Sequence, residues 1–551
     1  MSGIKEMRMI HKIASLQSHS KKTLAVILLG VALFRLPGLV IEFYDTDELA
    51  YSVWANEILD GATPYIDFIE QKPPVLNYLT AMVYSVAGEN NLRALHFFTL
   101  IVVLFTCYYI YRISLLLLKS PPAAYFAMVA YGVFITAFDE SFMAFNAEII
   151  FQLPVAMACY YFVLYYFEKS EKNYHLMLSA LYIVVAVMIK QQGGVILAAM
   201  GLYLLGLRPL LSWKNYSFSE SFRICLWLGL WFTVFMAAAH GLMYLAGYLK
   251  EGVKWMWLFP FVYMKSSQSN IADLLGKYLS RQGALWAVQI LLWASLGAFI
   301  HSLFRNKELS EEEKSKGQFL LLFFLLSYLT IFLGGVRLYF HYFVQYLLPL
   351  VLIAGYQFER WRPRLDNFKY RVLLNIGLVV PVILFSGWHY HDIFKKHFSD
   401  NPYSARNVNY LTERKEYKDV TRWIRENSRK TDRIFVWGEC PPMYFFANRR
   451  IGARYVMFDF VTLDNSMLGG SKSSVEKYKK SRPAKELEEM LGNILKDFKK
   501  KKPRYIVDIS PSDFNGYGKY PITKYKKIFD YVSANYVKRI QVSLMDIWER
   551  K

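Results

Sequence analysis

YDTDELAYSVWANEILDGATPYIDFIEQKPP, residues 44–74, lies between two hydrophobic runs and holds four of the chain's most informative carboxylates, Asp45, Asp47, Glu48 and Glu70, with one stiffly placed cation, Lys72. Asp45 can accept from the free backbone amides of a new helix, and Glu48, three residues on, completes a capping-box pattern. From about Asp47 to Asp60 the apolar residues Ala50, Val53, Trp54 and Ile58 recur at helical spacing, and Gly61 is a natural terminator. Too short and too polar to cross a bilayer, this helix is expected to lie along the membrane surface. Lys72 precedes Pro73 and Pro74, which hold its backbone extended. A second surface helix, roughly Val75 to Val86, then starts on the prolines and stops at Gly88.

Outward from this loop the chain reads as a polytopic membrane protein with a soluble part. Of 551 residues, 54% are hydrophobic and 17% aromatic, and only 20% are charged. Residues 1–22 carry five Lys and Arg against Glu6, and lead into an apolar run from Thr23 to Ile41. That run is about membrane length and lacks a small-residue cleavage site, so it is expected to stay as a first span with a cytoplasmic N-terminus. Further spans are expected at about 94–117, 122–138, 146–167, 175–189, 193–207, 222–246, 284–304, 318–334, 343–358 and 372–388, for about eleven crossings. Lys169, Lys172, Arg208, Lys214, Arg305, Lys307 and the basic run from Arg360 to Arg371 fall on the cytoplasmic side, as the positive-inside rule asks. The loop 247–283 is the exception, and its helix-like stretch at 271–281 reads as an interfacial lid.

The transmembrane domain is expected over 1–388, with the first outer loop at 42–93, and an extracytoplasmic α/β domain over 389–551. In the latter, helices near 413–428, 484–498 and 523–535 alternate with strands at 434–438, 504–510 and 537–548. The net charge is +21, and residues 393–551 hold 34 Lys and Arg against 19 Asp and Glu. In this context the excess favours anionic lipid headgroups or pyrophosphate-bearing glycolipids over nucleic acid, and a merely soluble basic domain fits it equally well. The four cysteines form no disulfide framework and no zinc spacing.

On the expected outer face, Asp45, Asp47, Glu48, Glu70, Asp139, Glu140 and Glu148 meet Lys72, Lys190, Arg337, His341 and Tyr342. Carboxylates at one rim can deprotonate an acceptor, and cations beside them can hold a phosphate leaving group delivered on a lipid. Each has a plainer reading too: Asp45 and Glu48 as helix caps, Glu70 as a partner of Lys72, Lys190 and Glu148 as anchors near span ends.

The run DELAYSVWANEILDGATPYIDFIEQKPPVLNYL, with AFNAEIIFQLP at 144–154, KQQGG at 190–194, RLYFHYFVQYLLP at 337–349 and DRIFVWGECPPMYFF at 432–446, resembles the lipid-dependent integral-membrane glycosyltransferases of the GT-C class, specifically the protein O-mannosyltransferases and the aminoarabinose transferase of lipid A. The resemblance implies a sugar moved with inversion from a polyprenyl phosphate to a protein, glycolipid or envelope glycan, at a multi-pass cell membrane. It implies Asp47 as base, Glu70 as the loop's second functional acid and Lys72 as the donor-phosphate contact; Glu48 is a further catalytic candidate from its place beside Asp47. Arg337, His341, Tyr342 and Lys190 fall to the donor site, with Glu148 and Asp45 as further candidates. Gln71 separates Glu70 from Lys72, where some family members place the acid directly before the lysine. The resemblance requires no cofactor beyond the lipid-linked sugar as co-substrate and leaves a divalent metal open. A transporter or flippase of lipid-linked sugars is the rival from another class; it would place ionisable groups near the midplane and show repeated halves.

Overall fold

The computed structural model describes residues 21–39, 44–136, 139–207, 217–266, 271–305, 309–334, 337–369, scattered positions from 371 to 391, 415–462 and 484–551. The basic stretch before residue 21, Arg208, Lys214, Lys307, most of the expected span 372–388, and the side chains of Glu140 and Lys265 lie outside the described residues.

The membrane part is a packed set of helices. Residues 21–35 form α1. The first loop carries α2, Thr46–Leu59, and α3, Val75–Ala87. There follow α4, Leu92–Leu118; α5, Pro121–Phe134; α6, Ala147–Tyr166; α7, Tyr174–Ile189; α8, Val195–Leu202; and α9, Phe218–Leu245. The membrane part closes with α10, Ile271–Val288; α11, Ile290–Arg305; α12, Glu311–Leu329; and α13, Leu347–Trp361. Among the described residues four helices are long and apolar enough to cross a membrane, or five if the bent pair α10 and α11 is one span. That pair turns by 92°. The break falls at Gln289, so the helix expected at 271–281 runs on to Val288. Small residues let the helices close in: a Cβ on Gly355 of α13 would lie 3.1 Å from the Ala123 carbonyl oxygen and from Ala127 Cβ of α5. At KQQGG the chain turns back on the end of α7 so tightly that a Cβ on Gly193 would meet the Ala186 backbone at 2.5 Å.

The expected capping box at Asp45 and Glu48 is present, and Gly61 ends the helix with φ +87°. The expected surface position of α2 is corrected. Every residue from Glu48 to Glu57 is buried, because the helix's polar side chains are taken up by other segments: Glu48 by His96, Ser52 by Tyr84, Asn56 by Asn90, and Glu57 by Arg433 and the Ile451 N–H from the far end of the chain. The next helix, α3, does show an apolar stripe, Tyr78, Met82 and Val86, to the outside.

The C-terminal part is a five-stranded sheet in the order β2-β1-β3-β5-β4, with β1 Arg433–Trp437, β2 Arg450–Ile451, β3 Tyr505–Asp508, β4 Tyr536–Val542 and β5 Met545–Arg550. β2, β1 and β3 run parallel, and β5 and β4 are antiparallel. Helices α14, Lys415–Asn427; α15, Pro441–Ala447; α16, Ala484–Lys501; and α17, Lys526–Asn535 complete it. Phe435, Val436 and Trp437 are fully buried in its core. The single final strand expected at 537–548 is in fact a hairpin, whose turn residues Ser543 and Leu544 both hold positive φ, 48° and 61°.

Candidate active site

The cap of α2 positions the acids. Asp45 Oδ1 accepts the Asp47 N–H at 3.2 Å, and its other oxygen takes Asn146 Nδ2 at 3.0 Å. Glu48 turns inward and is fully buried: its Oε1 accepts the Tyr44 and Asp45 amides, while Oε2 takes His96 Nε2 and the Phe145 N–H, both at 3.0 Å. Both of its oxygens are thus spoken for by the fold. Glu48→Ala is expected to lower stability by about 3 kcal/mol, measured by denaturation in detergent, because it strands several buried donors.

Asp47 points the other way. Its Oδ2 lies 3.3 Å from Lys72 Nζ and accepts from the Tyr51 hydroxyl at 3.3 Å, and Lys72 sits 5.0 Å from the Tyr51 ring centroid. The lysine is held by its surroundings. Glu70 Oε1 accepts the N–H groups of Gln71 and Lys72 at 2.6 and 2.9 Å, Tyr65 donates to the Lys72 carbonyl at 2.7 Å, and Gln191 donates to the Gln71 and Met256 carbonyls. Glu70 Oε2 is buried and finds no hydrogen-bond partner among the described residues.

A second ion pair closes the cluster. Lys190 bonds Glu148 and stands 4.7 Å from the Tyr342 ring centroid. His341 ties the helix cap to this second pair, with Nδ1 3.3 Å from Asp45 Oδ2 and Nε2 3.9 Å from Glu148 Oε1. Arg337 is buried in the same segment, which turns at Leu338 with φ 54°. Arg281 of α10 braces that turn by donating to the Arg337 carbonyl at 3.2 Å and to the Leu338 carbonyl, with its guanidinium over Tyr339 and Phe340. Asp45, Asp47, Lys72, Glu148, Lys190, His341 and Tyr342 therefore share one cluster, Glu70 backs it and Glu48 stands apart. Tyr51, Asn146, His96 and Arg281 were not singled out from the sequence; only Tyr51, one helical turn from Asp47, carried a local signal. Among the described residues no group of three or more His, Cys, Asp and Glu is placed to hold a metal ion.

The electrostatics separate the two acids flanking Lys72. Burial pushes the Asp47 carboxyl up, but the Lys72 ammonium, with His341 and Lys190 behind it, outweighs this and holds it at about 2. At Glu70 burial wins over the same lysine, and the carboxyl is raised. Burial works against the charged form of His341, yet Glu148, Asp45 and Asp47 raise its pKa. Because the Asp47 value is depressed, its contribution to stability is complete above the ordinary carboxylate value and is lost as the pH falls toward the folded value. The stability difference between wild type and Asp47→Asn is expected to hold from pH 8 to pH 5 and to shrink below about pH 4, read as melting temperature against pH.

Residues 71–228 match the family model of dolichyl-phosphate-mannose-protein mannosyltransferases, a stretch that contains Lys72, Glu148 and Lys190. A search of curated protein sequences finds no match. ArnT from Cupriavidus metallidurans bound to undecaprenyl phosphate aligns with a TM-score of 0.58 at 12% identity, over 95% of this chain and 97% of that one. The same protein in its apo state gives 0.52 at 12% identity, over 96% and 98%. The apo oligosaccharyltransferase of Archaeoglobus fulgidus gives 0.50 at 12% identity, over 89% of this chain and 70% of that one. At such identity the likeness is one of fold, and it extends over nearly the whole chain. The protein thus has the fold of the GT-C glycosyltransferases, and over residues 71–228 it carries the sequence signature of the dolichyl-phosphate-mannose-protein mannosyltransferase family.

Proposed function

We propose that the protein transfers a sugar from a polyprenyl-phosphate donor to a hydroxyl or amine of an acceptor at the outer face of the membrane. The observation that carries this reading is the Asp47–Lys72 pair at 3.3 Å, set in a cluster of alternating carboxylates and cations. Undecaprenyl phosphate in the Cupriavidus ArnT structure supports the donor class. Asp47, 27% exposed at its side chain, receives the proton of the acceptor as its oxygen or nitrogen attacks the anomeric carbon. The bond from that carbon to the phosphate oxygen breaks, and the electron pair leaves on the phosphate. Lys72, with Lys190, Arg337 and His341, neutralises the charge that develops there. One displacement inverts the anomeric centre.

Fixed ammonium and guanidinium groups in a water-poor site stabilise this developing charge without reorganising during the reaction. Tyr51 and Tyr342 keep Lys72 and Lys190 in place through their ring faces. The sugar transferred is a hexose or a pentose, and the polyprenyl tail lies in the apolar part of the bilayer. Incubating purified protein with radiolabelled polyprenyl-phosphate sugars and candidate protein, glycolipid or glycan acceptors tests the reading. Label is expected to move to an acceptor; movement of intact lipid-linked sugar across vesicles without transfer would overturn it.

A further inference from the structure

Both segments that bear the reacting groups are docked on the C-terminal α/β unit. On the outgoing side, Glu57 of α2 is 1% exposed, and its carboxylate takes Arg433 Nη1 at 2.9 and 3.2 Å and the Ile451 N–H at 2.8 Å. Just past the helix, Asp60 is held by Arg450 through Nε at 2.6 Å and Nη2 at 3.0 Å, and the same guanidinium reaches Glu89 at 2.9 Å. On the returning side, the Ile69 N–H donates to the Arg454 carbonyl at 2.9 Å, next to Glu70 in the chain. Lys501 Nζ donates to the Asp67 carbonyl at 2.9 Å. Arg454 is in turn fixed on Asp497 at 2.8 and 2.9 Å.

We propose that this clasp sets the distance between Asp47 and Lys72, which makes Glu57 and Arg433 positioning residues of the transfer reaction. The inference rests on the function proposed above. Asp47 and Lys72 sit on different segments, a helix and a return of turns over residues 62–72. A stretch without regular structure takes its position from what it packs against. Here both segments lean on one body, and the contacts fall on the far end of the helix that carries Asp47 and three and five residues before Lys72. An interface that only fastened two domains would have no need to grip both. Catalysis is sensitive to such placement, since a misplacement of about 1 Å can cost about 100-fold in rate. Glu57 and Arg433 lie away from the cluster of Asp47, Lys72, Lys190 and His341 and touch no reacting atom.

Glu57→Gln, Arg433→Gln and the double variant of the full-length protein test this in the transfer assay. Each single change is expected to lower kcat by about 10- to 100-fold with a smaller change in donor KM. The double variant is expected to be no worse than the weaker single, because one contact is lost either way. The acid limb of kcat/KM is expected to move to higher pH, since Asp47 loses part of the Lys72 ammonium that holds its proton off; a variant that is only less stable would keep the limb in place. Amide exchange over residues 60–72 is expected to speed up. Wild-type kcat and an unmoved acid limb would overturn the proposal even if the melting temperature fell. Should the wild-type protein transfer no sugar from any polyprenyl phosphate, the functional reading fails, and unchanged exchange over 60–72 in Glu57→Gln would independently sink the clasp.

Discussion

Asp47→Asn is expected to lower sugar transfer by about 10²- to 10⁴-fold, the share that a general base contributes, while the protein still binds its donor. The amide keeps nearly the shape of the carboxylate, and its oxygen can still accept from the Tyr51 hydroxyl. The helix start does not depend on Asp47, because Asp45 and Glu48 form the cap. What is lost is the proton acceptor and the negative charge beside Lys72. Without that charge, Lys72 is freer to meet a phosphate, so binding of undecaprenyl phosphate is expected to be unchanged or tighter. Single-turnover transfer from a radiolabelled donor, run beside a donor-binding measurement, reads both effects. Wild-type turnover in this variant would remove Asp47 from the mechanism, and a parallel loss of donor binding would make it part of the donor site.

What could be read from the sequence was what neighbouring residues decide among themselves. Asp45 and Glu48 stand three apart, the capping-box spacing, and the structure has the box; Gly61 and Gly88 mark helix ends where they occur with φ of 87° and 92°. The convergence of Asp47, Lys72, Lys190, Glu148 and His341 was legible because alternating spans return loops to the same face, so that distant loops become neighbours. What stayed hidden depends on partners far along the chain. The burial of Glu57 in α2 is set by Arg433 and the Ile451 N–H, more than 370 residues further on, and nothing within the helix announces them. The engagement of Glu48 depends on His96, near the start of an apolar run 48 residues further on. The last hairpin was missed because Ser543 and Leu544 are poor residues for two positive φ angles, and no Asn-Gly marks the turn. The break at Gln289 lies in an unbroken apolar pattern, where hydropathy cannot show a right-angle bend.

Lys72→Met carries the second large effect. Removing one preorganised donor to a developing anion costs about 10²- to 10³-fold in kcat, and here the ground-state phosphate loses the same cation, so the donor KM is expected to rise as well. The pH profile should change with it. In the wild-type protein the ammonium holds the Asp47 carboxyl at about 2 against its burial; with methionine in its place the largest opposition to burial is gone, His341 and Lys190 remain, and the carboxyl titrates higher. The acid limb of kcat/KM, which reports the free enzyme, is therefore expected to move to higher pH. Lys72→Arg keeps the charge but places a planar fork where a compact ammonium stood, so it is expected to restore the position of the acid limb more fully than the rate. These outcomes separate a catalytic pair from a structural one. If Asp47 and Lys72 only braced the loop, Asp47→Asn and Lys72→Met would lower stability and turnover together and leave donor affinity alike. If they divide the work of base and phosphate holder, donor affinity falls in Lys72→Met and persists in Asp47→Asn.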